Sequence, residues 1–223
     1  MMITSVNGLL KAFWYQEGYI RTSSYQYDIE DLDNNLIHLT NDAIQKYGDN
    51  YSRYEPGNKL SYSEFQRYLD MNFTGKKYNF DADILPRMKE MAADAIRANF
   101  HRLDVKRKLN NFEVFGLDFM IDNHFKPWLI EINFNPCLEI SSALLSRIIP
   151  GMIESSMRLG LDPLFPPPSH YPPMRRYQLS DNILQNFKFE CIFDEKTEGE
   201  QLRKQHKAVS ELVPDQLDDI SDH

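Results

Sequence analysis

The sequence has little cysteine, no long apolar run and no excess of positive charge. Its two cysteines, Cys137 and Cys191, give neither a disulfide framework nor the spacing of a structural zinc site, so a reducing, cytoplasmic setting is the default expectation. No stretch approaches the roughly eighteen apolar residues of a membrane-spanning helix, and Met1 to Asn7 is too short and polar for a secretory signal. The nine glycines are scattered and never form a GxGxxG or GxxxxGK phosphate loop. Lys and Arg total 25 against 33 Asp and Glu, a formal net charge of −8, which argues against general nucleic-acid binding. The cations do cluster, at Lys76-Lys77, Arg102 and Lys106-Arg107-Lys108, so a local basic groove can still form, although a solvated face is the plainer expectation for any one of them.

What is present is globular: 42% hydrophobic and 13% aromatic residues over a 223-residue chain suffice for one or two domains with a core. The most informative stretch runs from Phe112 to Leu138, two apolar runs around a polar break at Asn123-His124, which predicts a β-hairpin. Alternation puts Leu129, Glu131 and Asn133 on one face of the second strand and Ile130 and Ile132 on the other. Asp118 lies at the matching depth of the first strand. Two carboxylates and an amide offer oxygen ligands for a hard cation such as Mg²⁺ that also holds a phosphate. Zn²⁺ would want Cys and His. The plain alternative is a half-exposed hairpin with ordinary polar residues on its wet face. Against it, a charged-polar pair inside a β-rich run needs a partner if it is buried.

Elsewhere the pattern predicts a hairpin of Leu9–Tyr15 with Tyr19–Thr22 across Gln16-Glu17-Gly18, and a short strand at Leu36–Thr40. Helices are expected at Ser61–Asp70, capped by Ser61 and Glu64, at Ile84–Phe100, and at Ser141–Leu159 with a kink or division at Pro150-Gly151. Residues 104–111 should be a connection. Leu161–Pro173 is crowded with proline, and Asn186–Phe193 alternates like an edge strand. From Asp194 onwards the chain is polar and charged, and a disordered acidic tail is expected. His38 and His101 have the character of ordinary polar or capping residues.

Asp118, Glu131 and the run Glu-Ile-Asn-x-x-Pro136 resemble the metal-binding end of the ATP-grasp fold, and more narrowly the tubulin–tyrosine ligase-like family. Tyr19-Ile-Arg-Thr-Ser-Ser24 and His38-Leu-Thr-Asn-Asp-Ala-Ile-Gln-Lys46 are similar to that family's other signatures, in the same order. The resemblance implies an α+β, ATP-grasp-type C-terminal lobe over residues 1–165, with a largely antiparallel sheet and packed helices. A Pro-rich extension at 166–193 and the tail at 194–223 would follow. It implies an ATP-dependent ligase that joins a free amino acid, glutamate or tyrosine, to a protein carboxylate, with tubulin tails or microtubules as partner and neither nucleic acid nor membrane. The setting would be the cytoskeleton, with cilia or basal bodies as further locations.

By the same resemblance, Asp118, Glu131 and Asn133 hold Mg²⁺, with Glu131 and Arg21 in catalytic roles. Thr40, Asn41 and Ile130 contact ATP, and Arg21 and Lys59 face the amino acid. Two positions depart from the family pattern. Asp42 stands where an aromatic is common, and Ile149, with Arg147 nearby, stands where glutamate-adding members carry lysine. The family's glycine-rich loop and phosphate-binding lysines have no counterpart, so Met1 is expected to lie inside a longer parent domain. A non-catalytic fragment or binding segment that keeps the ligase fold is the competing expectation. A ligase with a small-molecule acceptor comes third.

Overall fold

The computed structural model describes residues 1–75, 77–107, 110–166, 168 and 188–212. β1 (Met2–Val6) and β2 (Leu9–Tyr15) form a tight antiparallel hairpin through Asn7-Gly8. Both loop residues have positive φ, 53° and 74°, the backbone that a two-residue turn needs to match strand twist and that Asn and Gly reach most easily. β2 therefore does not pair with the segment after Gly18. That segment, β3 (Tyr19–Arg21), pairs instead with β4 (Lys59–Ser61), which brings Arg21 directly opposite Lys59.

The stretch 112–138 likewise serves two sheets. β5 (Asn110–Val114), of which Asn110 and Asn111 belong to the expected connection and Phe112 to Val114 to the expected hairpin, pairs antiparallel with β1. Only β6 (Gly116–Ile121) and β7 (Pro127–Asn133) form the expected hairpin. β8 (Phe189–Asp194) joins the outer side of β2 and completes a four-stranded antiparallel sheet of order β5-β1-β2-β8, so the expected edge strand is at an edge.

Helices cover both faces of this sheet. α1 (Asn35–His38) replaces the strand expected at Leu36–Thr40: the Asn34 side chain accepts from the Leu36 amide at 3.2 Å and starts a helical turn that buries Ile37. A second short turn, α2 (Asp42–Gln45), follows with Asn41 as its N-cap residue. α3 (Tyr62–Asn72) opens on the predicted capping box, with the Ser61 amide donating to Glu64 at 2.7 Å and the Glu64 amide to Ser61 Oγ at 3.2 Å. α4 (Leu85–Asn99) buries Leu85, Met88, Ala92, Ala93 and Ile96 on one stripe. α5 (Ala143–Gly160) passes through Pro150 as one helix rather than dividing there. Its last residue, Gly160, lies where a Cβ would come within 2.6 Å of the Phe112 ring, so glycine permits the close approach of α5 to β5.

The core follows from β2 being covered twice. Phe13 and Tyr15 pack with Met2, Phe189, Ile148 and Leu159 on the α5 side. Leu10 and Ala12 pack with Ile96, Phe100 and Phe193, and Trp14 with Phe80, Ile84 and Met88, on the α4 side. A strand buried on both faces needs a near-continuous apolar run, which Leu-Leu-Lys-Ala-Phe-Trp-Tyr supplies.

The tail expectation is corrected over most of its described part. α6 (Glu195–Leu212) is a helix, anchored by buried Glu195, which accepts from the Leu10 amide, Arg107 and Arg203 at 2.8 Å each. Its polar composition resembles that of a disordered segment, but Glu, Lys, Gln and Arg are also good helix formers. Residues 169–187 and 213–223, which hold most of the expected Pro-rich extension and the end of the expected tail, lie outside the described residues. No helix among the described residues is long and apolar enough to cross a membrane.

Candidate functional site

Three strands bring four of the predicted residues together. Asp118 on β6 lies directly opposite Glu131 on β7, and Asn133 opposite Gly116. Arg21, at the end of β3, donates to Asp118 Oδ1 at 3.1 Å. The Asn133 amide bridges the two carboxylates, 3.2 Å from Asp118 Oδ2 and 3.1 Å from Glu131 Oε1. Gly116 allows this approach, since a Cβ there would meet Pro136 at 3.0 Å.

The register of β7 differs from simple alternation. Pairing passes from Asp118–Glu131 to Phe119–Leu129, so Ile130 has no opposite residue and forms a bulge. Cross-strand partners share a face, so Leu129 goes with Phe119 towards the core and not with Glu131. Ile130, 59% exposed, stands out beside Met120 and Trp128, which are also exposed. The bulge is what lets an apolar inner face and a polar outer face share one strand.

Burial raises the Asp118 carboxyl above the ordinary carboxylate range, against the pull of the Arg21 guanidinium, and the facing Glu131 adds to the rise. Two carboxylates placed face to face with one guanidinium hold more negative charge than the site neutralises. That donor set fits a hard divalent cation. Turning the Asn133 amide over would present its oxygen alongside the two carboxylates. Among the described residues no group of three or more His, Cys, Asp and Glu forms a complete metal cage. Two carboxylates with the remaining positions left to phosphate and water are ordinary for Mg²⁺.

Thr40 and Asn41 lie between α1 and α2, and Lys59 opens β4. Asn41 is exposed and makes no side-chain hydrogen bond at its cap, while its carbonyl accepts from the Ile44 and Gln45 amides at 2.9 Å. Thr40 is half-buried beside it. Lys59 is buried, its side chain 2% exposed, and its ammonium meets both Asp42 oxygens at 2.6 Å and the Gly57 carbonyl at 2.9 Å.

Sequence reasoning did not single out the residues that fix this segment. Gln45 is fully buried. Its Oε1 accepts from the Ser24 amide at 2.7 Å and from Asn58 at 3.3 Å, and its Nε2 donates to the Leu36 and Leu39 carbonyls at 3.0 and 2.6 Å. Asn58 also donates to Ser24 Oγ at 3.0 Å, so a satisfied amide pair ties the chain after Arg21 to α1 and α2. Nothing in a lone Gln or Asn distinguishes this role before the fold is known.

Among the described residues the expected basic groove is not a single-sign surface. Arg107 is paired with Glu195, and Lys76 and Lys108 lie outside the described residues. Arg102 and Lys106 line a cavity of about 450 Å³ that they share with Asp104 and Glu113. His101 stacks on His206 with ring centroids 4.0 Å apart, away from the carboxylate site, and Cys137 and Cys191 are free.

The chain is 30% identical over 152 residues to Tubulin glycylase 3B of Tetrahymena thermophila, covering 68% of this chain and 13% of that protein. It is 34% identical over 164 residues to Tubulin glycylase 3A of Drosophila melanogaster, 72% of this chain and 16% of that one. To the Probable alpha-tubulin polyglutamylase Ttll1 of Tetrahymena thermophila it is 36% identical over 148 residues, 66% of this chain and 34% of that one. The chain thus spans about a third or less of the length of these curated relatives. The family model for the Tubulin-tyrosine ligase family matches residues 1–172, which include the three strands that build the carboxylate site, and the chain belongs to that family.

Proposed function

We propose that this chain carries the metal-binding half of a site for ATP-dependent ligation of an amino acid to a protein carboxylate, with tubulin as the acceptor. The convergence of Arg21, Asp118, Glu131 and Asn133 from β3, β6 and β7 is the observation that carries this. The names of the relatives, which are tubulin glycylases and polyglutamylases, support tubulin as the acceptor and an amino acid as the group added.

In this reaction the γ-phosphoryl group of ATP passes to the acceptor carboxylate, giving an acyl-phosphate and ADP. The amine of the incoming amino acid then attacks the acyl carbon and displaces phosphate, leaving an amide. Asp118, Glu131 and Asn133 would hold Mg²⁺, which when bound offsets charge on the phosphate oxygens. Arg21 presents a planar guanidinium that can take a phosphate oxygen or a carboxylate, and its bond to Asp118 fixes its direction. Thr40 offers a hydroxyl and Asn41, whose side chain makes no hydrogen bond at its cap, an amide to the nucleotide, and Ile130 an exposed apolar side chain for its base. Lys59 serves the amino acid through Asp42. No step needs a covalent enzyme nucleophile. The relatives' association with tubulin supports a cytoskeletal place of action.

Calorimetry of Mg²⁺-dependent ATP binding tests the proposal. Wild-type chain should bind ATP only with Mg²⁺, and Asp118→Asn should lose that dependence. Binding unaffected by Mg²⁺ or by the substitution would remove the metal role.

A further inference from the structure

Lys59 has the composition of a substrate-binding cation, but its surroundings give it a different part. Its three ammonium protons face three acceptors, two Asp42 oxygens and the Gly57 carbonyl, and its side chain is 2% exposed. Nothing of its charge is left to offer outward. Asp42 is the member of the pair that reaches solvent, 38% exposed, held by Lys59 from within and by the Ser141 hydroxyl at 3.2 Å. With both oxygens aimed by a buried ammonium, this carboxylate has its position fixed and lone pairs left to accept from outside.

Asp42 also lies on the same side as the carboxylate site. Arg21 is the cross-strand partner of Lys59. Burial raises the Tyr19 phenol, Arg21 pulls it down, and Asp118 and Asp42 add to the rise. Burial and then Asp42 likewise raise Tyr51, whose hydroxyl lies near Gly57. The surface around the proposed reaction centre thus offers Arg21 as a cation and Asp42 as a fixed anion. Arg147 on α5 is paired with Glu17 at 2.5 Å.

Building on the ligase reading above, we propose that Asp42 holds the ammonium of the incoming amino acid while Arg21 takes its α-carboxylate, and that amino acids with an acidic side chain are disfavoured. A zwitterion has one charge for each of these groups. A second carboxylate meets the Asp42 carboxylate, while Lys46, one turn on at the end of α2, holds its ammonium over the Tyr47 ring, 5.2 Å from the centroid. Lys59 is a positioning residue that acts through Asp42.

The test uses the 223-residue chain in Mg·ATP, with carbon-labelled glycine and glutamate observed separately by NMR line broadening. Glycine should bind at least about tenfold more tightly than glutamate, and Asp42→Asn should weaken glycine by about tenfold, the ordinary loss for a charged hydrogen bond. Lys59→Met should weaken glycine similarly and Lys59→Arg should recover much of the loss, since a guanidinium can refill the pair. A purely structural lysine would give no such rescue of affinity at equal stability. Because Lys59→Met alone leaves Asp42 without its cation and can unfold the β3–β4 region, the double substitution Asp42→Asn/Lys59→Met is measured beside it, with circular dichroism on every variant. Equal binding of the two amino acids, or glycine binding indifferent to Asp42→Asn, overturns the proposal. A chain that binds Mg·ATP but neither amino acid overturns the Asp42 assignment alone. One that does not bind Mg·ATP overturns the ligase reading beneath it.

Discussion

The four-stranded sheet and the β6–β7 hairpin are both antiparallel, yet they use their residues in opposite ways. Helices cover the sheet on both faces, and β2 is apolar along most of its length. The hairpin packs one face on Trp14 and the start of α4 and turns the other outward with Asp118, Glu131 and Asn133. Stability is concentrated where both faces are dry. The candidate site lies where one face stays accessible and two carboxylates face each other across the hairpin. Substitutions in the two regions should therefore separate folding from ligand binding.

The largest effect is expected in the sheet. Phe189 is 2% exposed and meets the rings of Phe13 and Tyr15, so Phe189→Ala should destabilise the chain by about 3–5 kcal/mol in chemical denaturation. A loss below about 1 kcal/mol would mean that β8 is not integral to the core.

Glu195, where α6 meets β2, comes next. Burial alone would raise its carboxyl, but hydrogen bonds from the Leu10 amide, Arg107 and Arg203 overcome this and hold it below the ordinary carboxylate range. A carboxyl with a depressed folded-state pKa contributes stability that is fully present above its unfolded pKa and is lost as pH falls through the folded one. Glu195→Ala should cost about 3 kcal/mol at neutral pH and flatten the acid limb of a stability-versus-pH curve below the ordinary carboxylate range. An unchanged acid limb would remove Glu195 from that role. In the β1–β2 turn, Gly8 has a φ of 74°, and Gly8→Ala should cost about 1 kcal/mol by forcing a side chain into left-handed backbone.

The smallest stability effect and the largest functional one belong to the hairpin. Glu131→Gln removes one of two facing carboxylates and should leave stability within about 0.5 kcal/mol, while Mg²⁺-dependent ATP turnover by the complete enzyme disappears. Unfolding together with loss of turnover would sink the separation of the two regions. Turnover retained by a folded variant would sink the metal assignment.

Much of the site was legible in the order of residues. The hairpin, the carboxylate pair and the amide two residues beyond Glu131 follow from apolar runs interrupted by polar residues, and α3, α4 and α5 follow from period and capping. Local chemistry misled where a tertiary partner changed the outcome. Leu36–Thr40 has β-like composition but is drawn into a turn by Asn34 and held by Gln45. Glu195–Leu212 has the polarity of a tail but is fixed by one buried glutamate.

Sequence alone determined the elements whose signals are local: the Ser61–Glu64 box, the apolar stripe of α4 and the ligand-type residues of β6 and β7. Only the tertiary structure decided which strands pair, where the bulge at Ile130 divides inner from outer face, and that Lys59 turns inward while Asp42 turns outward. The physical reason is the range of the interactions. Turns, caps and periodicity are set within a few residues, whereas strand partners and buried charges are settled by groups that lie far apart in the chain and meet only once the core has closed.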